Sequence, residues 1–459
     1  MQKIVSNYAA AAHLALMAVA PLFLYPYASA DATAVVLLWL SLAGAVWIVM
    51  APSRISGESA HAARSRFVSE VLRDPLFWIC LILVAFSGIR ALNDGVAAVY
   101  DAETMKWSLS PPPAPLLPGC VKGEGFLPFA ACVALLVAFM GARHALGGAA
   151  TYTFFFCSSV LSGLAGLVSV FALMYGHEGV VGLAQASYRD PSFVGAAYGV
   201  SMLGGVVATF ACVMEKWMRA EPLALFGMTG TGLGLVLFSP PATITVFALA
   251  FVLFAFTSFM IQHKMFEGSG FLRCALAVAI SIVLPALYFM SFDDPSPIAA
   301  KQSLFASLKL FPVGFAESRK ALSAIALKVW KAGPWLGSGA GSFPLDVRFN
   351  ATPADWAVIG PVQAGVPNGW WRLLAERGVL GALMFALPLG FLAWTYFSGV
   401  VRSFGMFRWQ PVHCLAPFTA AALVACAFVD ASFMRADVLL AAGAALALSG
   451  DAFPGGQSA

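Results

Sequence analysis

Charge is what this sequence has least of. Asp, Glu, Lys and Arg make up 10% of its 459 residues, where soluble domains carry about a quarter, and that shortage excludes a water-soluble globular chain. The eight cysteines form no spaced framework. Cys80, Cys132, Cys157, Cys212, Cys274 and Cys426 fall inside apolar runs, Cys414 lies at the edge of one, and only Cys120 sits in a loop. Such core-filling usage excludes a disulfide scaffold or a thiolate metal centre. The histidines, at 13, 61, 144, 177, 263 and 413, are too dispersed for a ligand set, so no metal and no cofactor is expected. A formal net charge of +4, spread over many loops, offers no basic stripe for nucleic acid. The ten-residue alternation of an outer-membrane barrel is missing as well.

What is there is grease: 60% hydrophobic residues and a mean hydropathy of +0.84. It comes in continuous runs of about 20 residues, the length that a hydrocarbon core about 30 Å thick demands of a helix. The fold class is therefore all-α, a polytopic membrane helix bundle. About twelve spans are expected, at roughly 8–28, 32–52, 75–92, 125–142, 150–175, 191–213, 222–239, 242–262, 270–290, 373–397, 413–430 and 436–450. With both termini cytoplasmic, Lys3, Arg54, Arg64, Arg66, Arg73, Arg143, Lys216, Arg219, Lys264, Arg402 and Arg408 all fall inside. The opposing short loops hold only Lys106, Lys122, Arg189 and Arg435, as the positive-inside rule requires. Ala28-Ser29-Ala30 resembles a signal-peptide cleavage site, but the long, proline-bearing run before it reads as an uncleaved helix.

The chain divides into spans one to nine over 1–290, a large external loop over 291–372, and spans ten to twelve with a tail over 373–459. A smaller external loop, about 93–124, contains Pro111-Pro112-Pro113 and reads as a semi-rigid connection. The large loop is too long to lack structure of its own. Leu304, Phe305, Leu308 and Leu310, then Leu322, Ile325, Ala326 and Val329, recur at helical spacing among basic residues, predicting amphipathic helices that cap the bundle. Trp330, Trp335, Trp356, Trp370 and Trp371 suit the membrane interface or the faces of sugar rings.

Ionisable groups near membrane depth are functional candidates. Arg189-Asp190 stands where a short external loop re-enters the membrane, and reads either as an interfacial anchor or as a guanidinium fork for phosphate. Arg319, Arg348, Arg372 and Arg377 lie on the outer side with Lys320, Lys328 and Lys331, where together they make an anion-attracting vestibule. His177-Glu178 is a solvated pair or a general base with its partner. The run Gly337-Ser338-Gly339-Ala340-Gly341-Ser342-Phe343 follows no strand and lacks a P-loop lysine, so it is read as a tight turn and not a nucleotide cradle.

That turn, with Pro334 before it, and the stretch Pro367-Asn368-Gly369-Trp370-Trp371-Arg372-Leu373-Leu374-Ala375-Glu376-Arg377-Gly378-Val379-Leu380-Gly381 are similar to the signature of the O-antigen ligase and polymerase superfamily. Family members show P-x-x-G-x-G-x-G-x-F followed by H-N-x-x-L-x-x-L-x-E-x-G-x-x-G entering a helix. Tyr188-Arg189-Asp190-Pro191-Ser192-Phe193 resembles the family's R-x-x-G-x-F segment. The resemblance implies a metal-independent, GT-C-type glycosyltransferase of the bacterial inner membrane. Such an enzyme moves a glycan from an undecaprenyl diphosphate carrier to a lipid A core or another glycan, at the periplasmic face among membrane lipids. It also implies Arg189, Arg319 and Glu376 as catalytic residues, with Arg348, Asn368, Arg372, Gly339, Gly341, His177 and Asp190 around the substrate. The family's histidine aligns with Pro367, and its Ser-Arg-Gly motif appears as Ser239-Pro240-Pro241. A non-catalytic partner in polysaccharide assembly and a secondary transporter stay open as other readings.

Overall fold

The computed structural model describes residues 2–50, 59–103, 105–146, 149–181, 195–214, 220–262, 276, 279–283, 315–359, 369–403, 411–429 and 442–444. Seven helices in them are long and apolar enough to cross a membrane: Ala30–Met50, Pro75–Leu92, Phe126–His144, Ala150–Met174, Gly195–Cys212, Glu221–Phe238 and Gly369–Val401. Three shorter apolar helices, Tyr8–Leu24, Ala242–Ser258 and Val412–Phe428, stand at further expected spans. The chain is an all-α membrane helix bundle. Of the spans expected at 270–290 and 436–450, only 276, 279–283 and 442–444 are among the described residues.

The first helices are α1 (Gln2–Leu24), α2 (Ala30–Met50), α3 (Ala60–Arg73), α4 (Pro75–Leu92), α5 (Phe126–Met140) and α6 (Ala149–Met174). They are followed by α7 (Gly195–Met214), α8 (Glu221–Phe238) and α9 (Pro241–Gln262). Beyond these come α10 (Phe315–Ala332), α11 (Phe343–Asn350), α12 (Pro353–Ile359), α13 (Gly369–Ser403) and α14 (Pro411–Val429). Large apolar side chains such as Trp39, Trp78, Ile82, Trp394 and Phe428 stand exposed on the outside of the bundle. In water such a surface would associate; against lipid tails it is matched to its surroundings.

With lipid as apolar as leucine, helices associate through close packing. A close backbone approach joins α6 to α8, where Gly163 and Gly166 face Gly227 and Gly230. A Cβ built at any of these four meets backbone atoms of the facing helix. Ser162 and Thr231 share a 3.2 Å hydrogen bond in the same seam. At one end of the bundle Asp74 accepts from Leu76 N (3.0 Å) to start α4, and from Arg143 Nε (2.7 Å) and His144 Nε2 (2.9 Å).

Two elements differ from the sequence reading. The chain ahead of α4 folds as α3, capped by Ser59 accepting from Ala62 N, with Ala63 and Phe67 buried one turn apart. The loop at 93–124 carries two small sheets, β1 (Asp94–Val96) parallel to β4 (Cys120–Val121), and β2 (Ala98–Asp101) antiparallel to β3 (Lys106–Leu109). Asn93 organises it by donating through Nδ2 to the carbonyls of Ala114, Leu117 and Pro118 and accepting from Ala114 N. A short linear pattern cannot announce the pairing of β1 with β4, strands separated by five prolines.

The amphipathic helix expected before Lys331 is α10. Its Leu322, Ile325, Ala326 and Val329 bury against Phe343 and Val347 of α11, Ile359 of α12 and Ala375 of α13, making a small second core. Leu304, Phe305, Leu308 and Leu310 lie outside the described residues. This cap and the 93–124 loop share one face of the bundle, joined by Trp107 stacked on Phe349 with ring centroids 6.5 Å apart.

Because the α6–α8 seam has no room for a side chain, Gly230→Leu should destabilise the bundle by at least about 3 kcal/mol, the upper end of ordinary overpacking. Thermal unfolding of the purified chain in detergent reads the loss, and an unchanged midpoint would contradict the seam.

Candidate functional site at the break in α13

Helix α13 is broken near its start. Gly378 has φ 62° and ψ −171°, which interrupts the helix between Arg377 and Val379. A break frees backbone donors and acceptors, which in an apolar setting need new partners. The glycine turn supplies them. Ser338 N donates to Ala375 O (2.9 Å) and Gly339 N to Glu376 O (3.0 Å), while Val379 N donates to Pro334 O (2.9 Å) and Leu380 N to Trp335 O (3.2 Å). Two glycines permit the approach, each with a positive φ and no room for a Cβ. One at Gly378 would overlap the Trp335 carbonyl, and one at Gly337 (φ 72°) the backbone of Glu376. The 93–124 loop joins from the other side, through Ala340 N to Gly119 O (3.1 Å) and Val121 N to Ala340 O (2.9 Å).

Charged side chains gather on this knot. Arg90, from the last turn of α4, is 4% exposed and donates through Nε to Gly119 O and through Nη2 to Glu376 O, each at 3.3 Å. Glu376, 2% exposed, accepts at Oε1 from Arg372 Nε (2.9 Å) and from Phe343 N (3.4 Å). Arg377 is 6% exposed, lies 4.3 Å from the centroid of the Phe385 ring, and its buried Nε has no hydrogen-bond acceptor among the described residues. One buried glutamate thus stands among three guanidinium groups, a site with an excess of positive charge.

On the cap side, Asp346 at the start of α11 accepts at Oδ2 from Ser338 Oγ (2.6 Å) and Ser342 Oγ (3.0 Å). Burial pushes its carboxyl up to about 6, outweighing the two serine hydroxyls, and the neighbouring Glu376 charge adds to the rise. A carboxyl in that range exchanges a proton close to neutrality.

The structure brings Gly339, Gly341, Arg372 and Glu376 of the sequence reading into this site. It gives Glu376 a clear task, orienting Arg372 from within the core. Arg348 is exposed on α11 and takes part in none of these bonds. Arg319 donates through Nη1 to Phe428 O, linking the cap to α14. His177 is exposed on the turn after α6, its ring edge-on to Tyr27 at 5.1 Å. Arg189, Asp190 and Asn368 lie outside the described residues. Among the described residues no three His, Cys, Asp or Glu side chains come together as a metal site would require.

Sequence reasoning missed Arg90, Asp346, Ser338 and Ser342. Arg90 had only an ambiguous signal, an arginine in the last turn of an apolar span. The other three had none, because nothing linear marks a serine in a turn as the partner of a carboxyl eight residues on.

Two outcomes follow from this geometry. Gly378→Ala should cost at least about 2 kcal/mol, since it forces a positive φ on an L-residue and presses a methyl group on a carbonyl. Hydrogen exchange at Ser338 and Gly339 should accelerate in that variant; unchanged protection there would contradict the knot. For Asp346 the folded state binds its proton more tightly than the unfolded chain does. Its contribution is therefore full below the ordinary carboxyl value near 3.8 and is lost as pH rises through about 6. Asp346→Asn should flatten that segment of the stability–pH curve, and an unaltered slope would show that another group carries it.

No protein-family model matches the chain, and no curated protein matches it either.

Proposed function

We propose that the chain is an inner-membrane glycosyltransferase of GT-C type, with about twelve spans and both termini in the cytoplasm. It ligates or polymerises glycan from an undecaprenyl-diphosphate-linked donor at the periplasmic face, the acceptor being another glycan or a lipid A core. The observation that carries this reading is the meeting of the two stretches that resemble the ligase and polymerase signature. The turn at 334–343 and the segment at 375–380 are bonded to each other through their backbones, and the meeting point holds arginines, an orienting glutamate and a carboxyl poised near neutrality.

In this reaction the anomeric carbon–oxygen bond to the diphosphate breaks, and a bond forms between that carbon and an acceptor hydroxyl oxygen. The acceptor proton must leave, and the carrier departs as a lipid diphosphate. Arg372, held by Glu376, meets the charge that develops on the leaving diphosphate, an electrostatic role strengthened by a dry site. Arg319 and Arg189 supply further positive charge in this reading, and Arg348, Asn368, His177 and Asp190 border the glycan. Glu376 is engaged by Arg372 and Phe343 N, so we assign the proton to Asp346, which takes the place of the histidine that aligns with Pro367.

Arg372→Ala should reduce glycan transfer by about a hundredfold or more, as loss of one preorganised donor does elsewhere. The assay is transfer from an undecaprenyl-diphosphate-linked oligosaccharide by the reconstituted chain, alongside the surface-glycan profile of a deletion strain. Activity should rise with pH through about 6, and Asp346→Asn should remove that limb. Full transfer by Arg372→Ala, or a deletion strain with unchanged glycans, would refute the reading.

A further inference from the structure

The Asp346 carboxyl is bonded to a pair of hydroxyls that differ in exposure. Ser342 is fully buried and Asp346 is 6% exposed, while Ser338 on the glycine turn is partly open. Ser338 Oγ lies 2.6 Å from Asp346 Oδ2 and 2.6 Å from Ser342 Oγ, and Ser342 Oγ lies 3.0 Å from the same Oδ2. One carboxyl oxygen and two hydroxyls thus form a closed triangle whose most exposed corner is Ser338.

Each hydroxyl also has a second acceptor on the main chain, Ala375 O at 3.2 Å for Ser338 and Gly339 O at 2.8 Å for Ser342. A serine hydroxyl carries one proton and two lone pairs. With Asp346 ionised, both hydroxyls donate to Oδ2. With Asp346 protonated, they turn to the two carbonyls and the carboxyl donates to Ser338 Oγ. No donor is stranded in either state, so a proton passes through the triangle without leaving a buried polar group unsatisfied. The neighbouring elements add little that would compete. Against α11, α10 sets Leu322, Ile325, Ala326 and Val329, α12 sets Ile359, and β3 sets Trp107. The charge that acts on Asp346 comes from α13, where Glu376 is bonded to Arg372.

We propose that Ser338 relays the proton of the transfer reaction, taking it from the acceptor hydroxyl at Oγ while passing its own to Asp346 Oδ2. This assignment rests on the glycosyltransferase reading and adds to it the group that meets the acceptor. In the step the acceptor O–H bond breaks and a new O–H forms on Ser338, as the original Ser338 O–H breaks and an O–H forms on Asp346. The freed electron pair of the acceptor oxygen makes the bond to the anomeric carbon, and the diphosphate leaves with the pair of the bond it loses. Both hops occur together, so no serine alkoxide forms and Asp346 ends neutral. The reverse hops return the proton to water. Ser342, bonded to both partners, holds them in line.

The test is the transfer assay with the full reconstituted chain, run against pH. Ser338→Ala should lower transfer about a hundredfold or more, within the range of a positioned proton-transfer group. Combined with Asp346→Asn it should slow the reaction no further, as residues that act as one unit do. Ser338→Thr, which keeps the hydroxyl, should recover most of the rate. A measurement that needs no variant keeps the test decisive if these chains do not fold: single-turnover rates of the wild type in mixtures of water and heavy water should follow a bowed curve, as two protons in flight require. A merely structural serine predicts otherwise. Losing its hydrogen bond raises the Asp346 carboxyl, so the rising limb would move up from about 6 and the full rate would return at higher pH. That displaced limb, wild-type transfer by Ser338→Ala, or a linear isotope curve would each overturn the relay and leave Asp346 and Arg372 in their roles. Absence of transfer by the wild-type chain would instead remove the reaction itself, and the relay with it.

Discussion

A peptide group in hydrocarbon must have a hydrogen-bond partner, and the architecture of the capped face follows from meeting that demand at one place. Helix α13 gives up its own ladder at Gly378, and the turn at 334–343 takes up four of the released groups. Everything else on that face is hung from this exchange. The cap is tied to the bundle because Ala375 belongs both to α13 and to the small core of α10–α12. The 93–124 loop is tied to it because Ala340 completes a bridge with Cys120. Arg90 is drawn in because the Glu376 carbonyl is bonded to both Gly339 N and the arginine.

The charge balance is a second-order result of the same geometry. Burying Glu376 in the knot gives Arg372 a fixed orientation, and the carbonyls of Gly119 and Glu376 give Arg90 another. The two guanidinium groups are thus held in fixed orientations on one buried cluster.

Much of the fold could be read from the sequence because hydrocarbon imposes a simple length rule. Runs of apolar residues mark the helices, and the spacing of Leu322, Ile325, Ala326 and Val329 marks the buried face of α10. The glycine turn was legible as a turn, and Arg372 and Glu376 stand four residues apart, the spacing of neighbours on one helix face. What could not be read was their meeting. The bonds from Ser338 to Ala375 and from Val379 to Pro334 join residues 37 and 45 positions apart through backbone atoms, which carry no side-chain signature. Arg90 illustrates the same limit. Its contact with Glu376 spans 286 positions, and an arginine at the end of an apolar span looks like an interfacial anchor until the partner is seen.

The four bonds of the knot all run between main chains, so the side chains at Ser338, Ala340 and Ser342 are not what closes it. Positive φ favours glycine at 337, 339, 341 and 378, but a position such as Ala340, which bonds through its main chain, can change its side chain without loosening the frame. Drift at such a position can alter the lining of the turn while the helix break, the cap and the oriented arginine persist. The capped face is in that sense a typeface with fixed strokes and replaceable letters.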